Sequence, residues 1–207
     1  MNRVQEIQKY VTSRINRYPH IDPGQAKAEI ARLRRGAGKK LEQCPDLWGV
    51  FLQSMPEDLI GKGSSPSRAE NIIFLTMTLF SEAQQGHEVA DLQMDNNVSL
   101  GTALGKVVTQ EKKGPERDSA NDRIASRLKR LVLSSSIEEM AMPLRSLIGI
   151  LRQKEITLDY GRLAGDLYNF SFPNMSSQIG LKWARDYYRE LNRAEYNKQT
   201  NEQENAE

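Results

Sequence analysis

The chain has 207 residues, 38% of them hydrophobic, and a formal net charge of +2. That length suits one domain or two small ones, and no stretch approaches the ~20 apolar residues of a membrane span, which excludes a helical membrane protein and predicts a soluble one. The charge is balanced only on average: residues 27–40 hold six cations against one anion, 41–100 two against nine, 102–130 eight against four, and 190–207 two against five. Blocks of this kind focus a field that the net value hides.

In chain order, MNRVQEIQKY is a charged helical pattern without the apolar centre of a signal peptide, so a cytoplasmic protein is expected. Val4, Ile7, Val11, Ile15 and Tyr18 keep helical spacing over a first helix from about Asn2 to Tyr18, which PHIDPG ends. A second helix runs into IARLRRGAGKK, Ile30 to Lys40, with five cations and two glycines in eleven residues. Two readings stand side by side. Arg34 and Arg35 complement the negative end of a helix that Gly36 terminates in the left-handed conformation. Alternatively Arg32, Arg34, Arg35, Lys39 and Lys40 form a phosphate-binding patch, since Lys39 and Lys40 lie beyond the turn over which the dipole acts.

The single cysteine, Cys44, rules out an internal disulfide and, beside Pro45, reads as a small buried residue. Pro45 opens the short apolar piece LWGVFL, which Pro56 interrupts. The loop GKGSSPS lacks the spacing of a phosphate loop and reads as a connector. Ser67 and Glu70 form a capping box for NIIFLTMTLF, apolar nearly all round and so expected at the centre of a bundle. In HEVADLQMD, residues His87, Glu88, Asp91 and Asp95 match no metal-ligand pattern and read as a solvated segment.

VSLGTALGKVV reads as a short helix leading into the polar stretch QEKKGPERDSAN. Beyond it, DRIASRLKRLVL turns Ile124, Leu128, Leu131 and Val132 toward a core and presents Arg123, Arg127 and Arg130, with Lys129 beside them, on the other face. Few acids are near enough to neutralise these cations, so Arg is available for bidentate phosphate contacts and Lys as a point charge. Ser136 with Glu139 predicts a second capping box, with Pro143 in the first turns of its helix or kinking it. Asp159 is expected to cap YGRLAGDLYNF, and Ser176 or Ser177 the last helix, whose stripe is Ile179, Trp183, Tyr187 and Leu191. The predicted fold is all-α, in two small helical bundles at 1–110 and 122–196, a polar linker at 111–121 and a disordered tail at 197–207.

Two histidines and one cysteine, none near another at ligand spacing, assemble no catalytic constellation; no enzyme activity, metal or cofactor is expected. Trp48, Tyr168, Trp183 and Tyr187 fall on core stripes, so phosphate-backbone contact without base reading is the expected mode, with strong salt dependence.

The ordered pieces ARLRRG, SLGTAL, SRLKRLVLSSSIEEMAMPLRSLIGIL, ITLDYGRLAGDLYNF and KWARDYY resemble the CasB family, the small subunits of the type I-E CRISPR surveillance complex Cascade, over about Gln25 to Arg189. The resemblance implies a non-catalytic subunit of two helical bundles, present in two copies. Its implied partners are the backbone subunits, the large subunit, guide RNA and the target and displaced DNA strands of the R-loop, while guide pairing reads the sequence. The family's basic residues match Arg127, Lys129 and Arg130, with Arg123 one turn earlier; Arg145 matches an arginine of the next helix, and the Arg32–Lys40 segment matches the N-terminal basic stretch. The long charged linker and the tail after Arg189 depart from the family pattern. Two rival readings are a free-standing helical DNA-binding protein and a structural adaptor whose basic faces meet acidic protein surfaces.

Overall fold

Nine α-helices build the described part of the structure, a computed structural model covering residues 2–112 and 114–204 and side chains up to Tyr196. Apart from one isolated bridge between Met94 and Leu158, these residues form no β-structure. Helix α1 (Arg3–Asn16) starts at Asn2, whose side chain accepts from the Val4 N–H, and buries Ile7, Val11 and Ile15 completely. Asp22 caps α2 (Pro23–Gly36), and Pro23 takes the first helical position, where its missing N–H costs nothing. The left-handed residue of the following turn is Gly38, with φ of 78°, not Gly36 as the sequence suggested. Gly36 is needed for space instead: a Cβ there would lie 2.8 Å from Leu47 and 3.2 Å from Phe74.

Helix α3 (Pro45–Leu52) is the short apolar piece, and Cys44 before it is buried, as expected. Helix α4 (Arg68–Ala83) begins with the predicted Ser67–Glu70 capping box and buries residues on every side, so it occupies the centre. Around it pack α1, α2, α7 (Ile137–Gln153) and α8 (Tyr160–Phe170). Buried Gln84 ties down the acidic stretch after α4, donating to the Glu88 and Asp91 carbonyls and accepting from the Gln93 N–H.

Three boundaries differ from the sequence reading. The expected linker is mostly helix: α6 (Pro115–Val132) begins at Pro115, behind Gly114 with φ of 124°, and already buries Arg117 and Ala120. Helix α9 (Pro173–Glu204) starts at Pro173 and not at a serine cap; a proline pre-set for the first turn follows α8 almost directly. Its backbone stays helical through 197–204, where disorder was expected, and 205–207 lie outside the described residues. Pro143 sits inside α7, in its second turn.

The halves on either side of residue 111 share one continuous core, because α1 packs on α8 and α5 (Leu100–Thr109) on α9. Glycine pairs four residues apart make both crossings possible. On α5, a Cβ at Gly101 would collide with the Trp183 carbonyl oxygen, and one at Gly105 would come within 2.7 Å of Glu190 Cβ. On α8, Gly161 and Gly165 face Thr12 and Gln8 of α1 just as closely. Small residues one turn apart let two helix backbones approach beyond the usual 8–10 Å separation.

Buried polar groups lock the α9 side. Asp166 accepts from the Trp183 indole at 2.9 Å and from Lys182 at 2.5 Å. Asp186 accepts from Ser99, Arg162 and Arg189, joining α5, α8 and α9. No described helix is long and apolar enough to cross a membrane.

Candidate nucleic-acid interface

Of the ten cations singled out in the sequence, Lys39 and Lys40 on one flank and Lys129 and Arg130 on the other line grooves against the start of α7, while Arg34 and Arg145 bond groups at the end of α4. On one side, at the end of α2, Arg35, Lys39 and Lys40 are exposed and Arg32 is half-buried. Lys39 and Lys40 border a groove of about 290 Å³ whose floor includes Phe74, Leu75 and Thr78 of α4 and whose far wall is Ile137, Glu138 and Ala141 of α7. On the other side, α6 carries Arg123, Lys129 and Arg130 exposed and Arg127 half-buried. Lys129 and Arg130 line a second groove against Glu139 and Pro143, on α7's opposite flank.

None of these eight side chains has a carboxylate within ion-pair distance among the described residues. Glu138 and Glu139 at the start of α7 are the acids interposed between the groups. Glu139 is already engaged, accepting from the Ser135 N–H at 2.7 Å, while its own N–H bonds the Ser136 hydroxyl. The predicted cap is therefore present, with the glutamate reaching one residue further back than a reciprocal box requires.

Arg34 and Arg145 are used differently. Arg34 Nε donates to the Ser81 carbonyl at 3.2 Å, and Arg145 Nε pairs with Glu82 at 2.5 Å, with the Glu82 side chain only 12% exposed. Arg152 donates to the Glu82 carbonyl and to Gln85. The end of α4 thereby fastens α2 and α7, fixing the turn that displays Lys39 and Lys40; Arg145 Nη1 lies 3.5 Å from where a Gly38 Cβ would stand. Spacing along a helix could not distinguish these two arginines from free ones, because their partners come from elsewhere in the chain.

Burial pushes the Glu82 carboxyl above its ordinary value of 4.5, while Arg145, Arg152 and Arg34 pull it down without offsetting burial. A raised folded value means that this carboxyl favours folding below 4.5, a contribution lost as pH rises through the folded value. Glu82→Gln cannot titrate. Melting curves of the two proteins across pH should meet at acid pH and the variant should run higher at neutral pH; a wild type that runs higher there would show that the arginines outweigh burial.

Of the aromatic residues read as core, Trp183 and Tyr187 are fully buried, while Trp48 is 44% exposed, its indole donating to the Leu41 carbonyl. Tyr168 is half-buried, edge-on to Phe172. Burial and the neighbouring charges raise the Tyr187 phenol well above its ordinary range, and its hydroxyl donates to Asn121 Oδ1. Among the described residues no three His, Cys, Asp or Glu side chains converge as a metal site would require.

The profile of the CRISPR-associated protein Cse2 matches residues 29–188. The chain belongs to the Cse2 family. Cse2 membership agrees with the CasB likeness of the ordered motifs, and the match spans both groups of cations. The structure is also similar to the crystal structure of CasB from Thermobifida fusca, with a TM-score of 0.70 and 25% sequence identity over 88% of this chain and 97% of that one. No curated protein matches its sequence. Within this Cse2 protein the bonds of Arg34 to the Ser81 carbonyl and of Arg145 to Glu82 set these two apart from the eight cations that make no side-chain hydrogen bond or ion pair among the described residues.

Proposed function

We propose that this Cse2 protein is a non-catalytic subunit of a type I-E Cascade complex that holds nucleic-acid backbone without reading sequence and stabilises the R-loop, keeping target and displaced DNA strands apart. The observation that carries this reading is a set of cations that make no ion pair among the described residues, Arg32, Arg35, Lys39 and Lys40 at the end of α2 and Arg123, Arg127, Lys129 and Arg130 on α6, with Lys39 and Lys40 bordering one flank of α7 and Lys129 and Arg130 the other. A surface with several free guanidinium and ammonium groups attracts phosphates by counterion release, which is indifferent to base identity. Arg34 and Arg145 support the surface by placing its helices. The partners are the backbone and large subunits, guide RNA, both DNA strands and a second copy of the chain.

Reconstituting the complex with and without this subunit tests the role. R-loop lifetime should shorten on omission while guide RNA loading persists; an unchanged lifetime would overturn the reading. The adaptor reading is favoured by a specific feature of the same surface: Leu133, in the groove with Lys129 and Arg130, is 70% exposed, as a residue covered by another protein would be. Under that reading, reversing the charge of Arg127 and Arg130 blocks assembly and leaves DNA affinity of the isolated chain unaltered.

A further inference from the structure

Helices α6 and α9 cross where Gly180 meets Val132, close enough that a Cβ on Gly180 would collide with a Val132 methyl. Beside the crossing they leave an open groove of about 300 Å³. Leu128 of α6 and Leu133, which caps its C-terminus, form one wall, and Leu181, Ala184 and Tyr188 of α9 the other, with Lys129 at the rim. No carboxylate lines it. Leu133, Leu181 and Tyr188 are each at least half exposed. The Tyr188 ring is not free to wander: it stands edge-on to buried Tyr187, 5.1 Å between centroids and 79° between planes, and the Tyr187 hydroxyl is anchored on Asn121.

The groove opens onto the proposed phosphate surface, because Lys129 lines both it and the adjoining groove that holds Arg130. On α9 the exposed Arg185 shares a stripe with Leu181 and Tyr188, at spacings of four and three, and has no ion pair among the described residues. An apolar slot with a fixed aromatic face and a cationic rim suits a planar ring attached to a phosphate chain. We propose that the α6–α9 groove takes one unpaired nucleobase of a single-stranded nucleic acid, stacked on Tyr188, with Lys129 and Arg185 on the neighbouring phosphates. The inference rests on the reading of α6 as a phosphate-binding surface and adds a preference to it. A base inside a duplex has its faces covered by its neighbours, so only a strand with unpaired bases can use the slot.

Fluorescence anisotropy of the full-length protein at low ionic strength tests this with three probes: single-stranded oligothymidylate, a duplex of the same length, and an abasic strand with the same number of phosphates. Tyr188→Leu should weaken binding of oligothymidylate about 5- to 150-fold, the range of one lost base stack, and leave the duplex and abasic probes as in wild type. Tyr188→Phe should retain wild-type affinity for all three. If Tyr188→Leu binds oligothymidylate like wild type while Arg123→Ala/Arg127→Ala/Arg130→Ala loses it, the slot is excluded and the phosphate surface stands. If the triple arginine variant binds normally, or wild type binds none of the probes, the phosphate reading fails and takes the slot with it. Equal loss of all three probes by Tyr188→Leu, or unchanged DNA binding with impaired assembly into Cascade, would overturn the proposal, the latter marking the groove as a protein seat.

Discussion

A chain carrying Arg127→Ala, Lys129→Ala and Arg130→Ala is expected to lose nucleic-acid affinity on the order of tenfold at low salt, and the slope of log affinity against log salt should flatten by about 2 on single strands. The expectation follows from the absence of ion pairs on the α6 face: no internal bond is given up when these side chains turn toward phosphate. Lys129 and Arg130 are exposed and Arg127, though half-buried, bonds no other side chain among the described residues, so the fold should tolerate their removal, and an unchanged melting temperature is the control. Arg34→Ala and Arg145→Ala should behave in the opposite way. Each removes a contact to the Ser81 carbonyl or the Glu82 carboxylate, so the melting temperature falls and the salt slope stays close to wild type. An Arg145→Ala variant that flattens the slope as much as the α6 triple variant would show that Arg145 meets phosphate and is not reserved for Glu82.

Gly101→Ala should destabilise the protein by about 3 kcal/mol, at the upper end of the range for overpacking, and lower the melting temperature by roughly 6–12 °C. The added methyl would meet the Trp183 carbonyl oxygen and lie 2.9 Å from Asp186 Cβ. A backbone oxygen in mid-helix cannot step aside unless α9 moves, and α9 is held by the Asp166 bonds to Trp183 and Lys182 and by the Asp186 bonds to Ser99 and Arg162. Gly161→Ala makes the comparison informative. Its first obstacle is the Thr12 hydroxyl, the end of a side chain, which can rotate away, so the cost should be smaller. Thermal melts followed by circular dichroism rank the two, and equal losses would show that the α1–α8 crossing is as rigid as the α5–α9 one.

These crossings mark the limit of what could be read along the chain. SLGTAL and DYGRLAGDLYNF carry the likeness to the family, and their glycine pairs at a spacing of four are visible in the letters. What each pair faces is not, because helix contacts between residues some 80 or 150 positions apart leave no local trace. The polar stretch after residue 110 shows the same limit. QEKKGPERDSAN is polar enough for a linker, yet Pro115 is a good first residue of a helix, and Arg117 and Ala120 are buried by α6's tertiary neighbours.

By itself the sequence determined that the protein is all-helical, where most of its helices start, which faces they bury and to which family they belong. Those properties depend on residues a few positions apart, through capping side chains such as Asn2, Ser67 and Asp159 and through stripes such as Ile7, Val11 and Ile15. Only the tertiary structure decided which cations are free. Arg34 and Arg145 look no different from Arg35 and Arg130 in the sequence, and the distinction arises because Ser81 and Glu82 of the central helix come within bonding distance of the first two and of neither of the others. The same holds for Tyr188, one residue from the buried stripe of α9: a rotation of about 100° per residue carries it from the core to the open groove beside α6, where its ring can meet a partner.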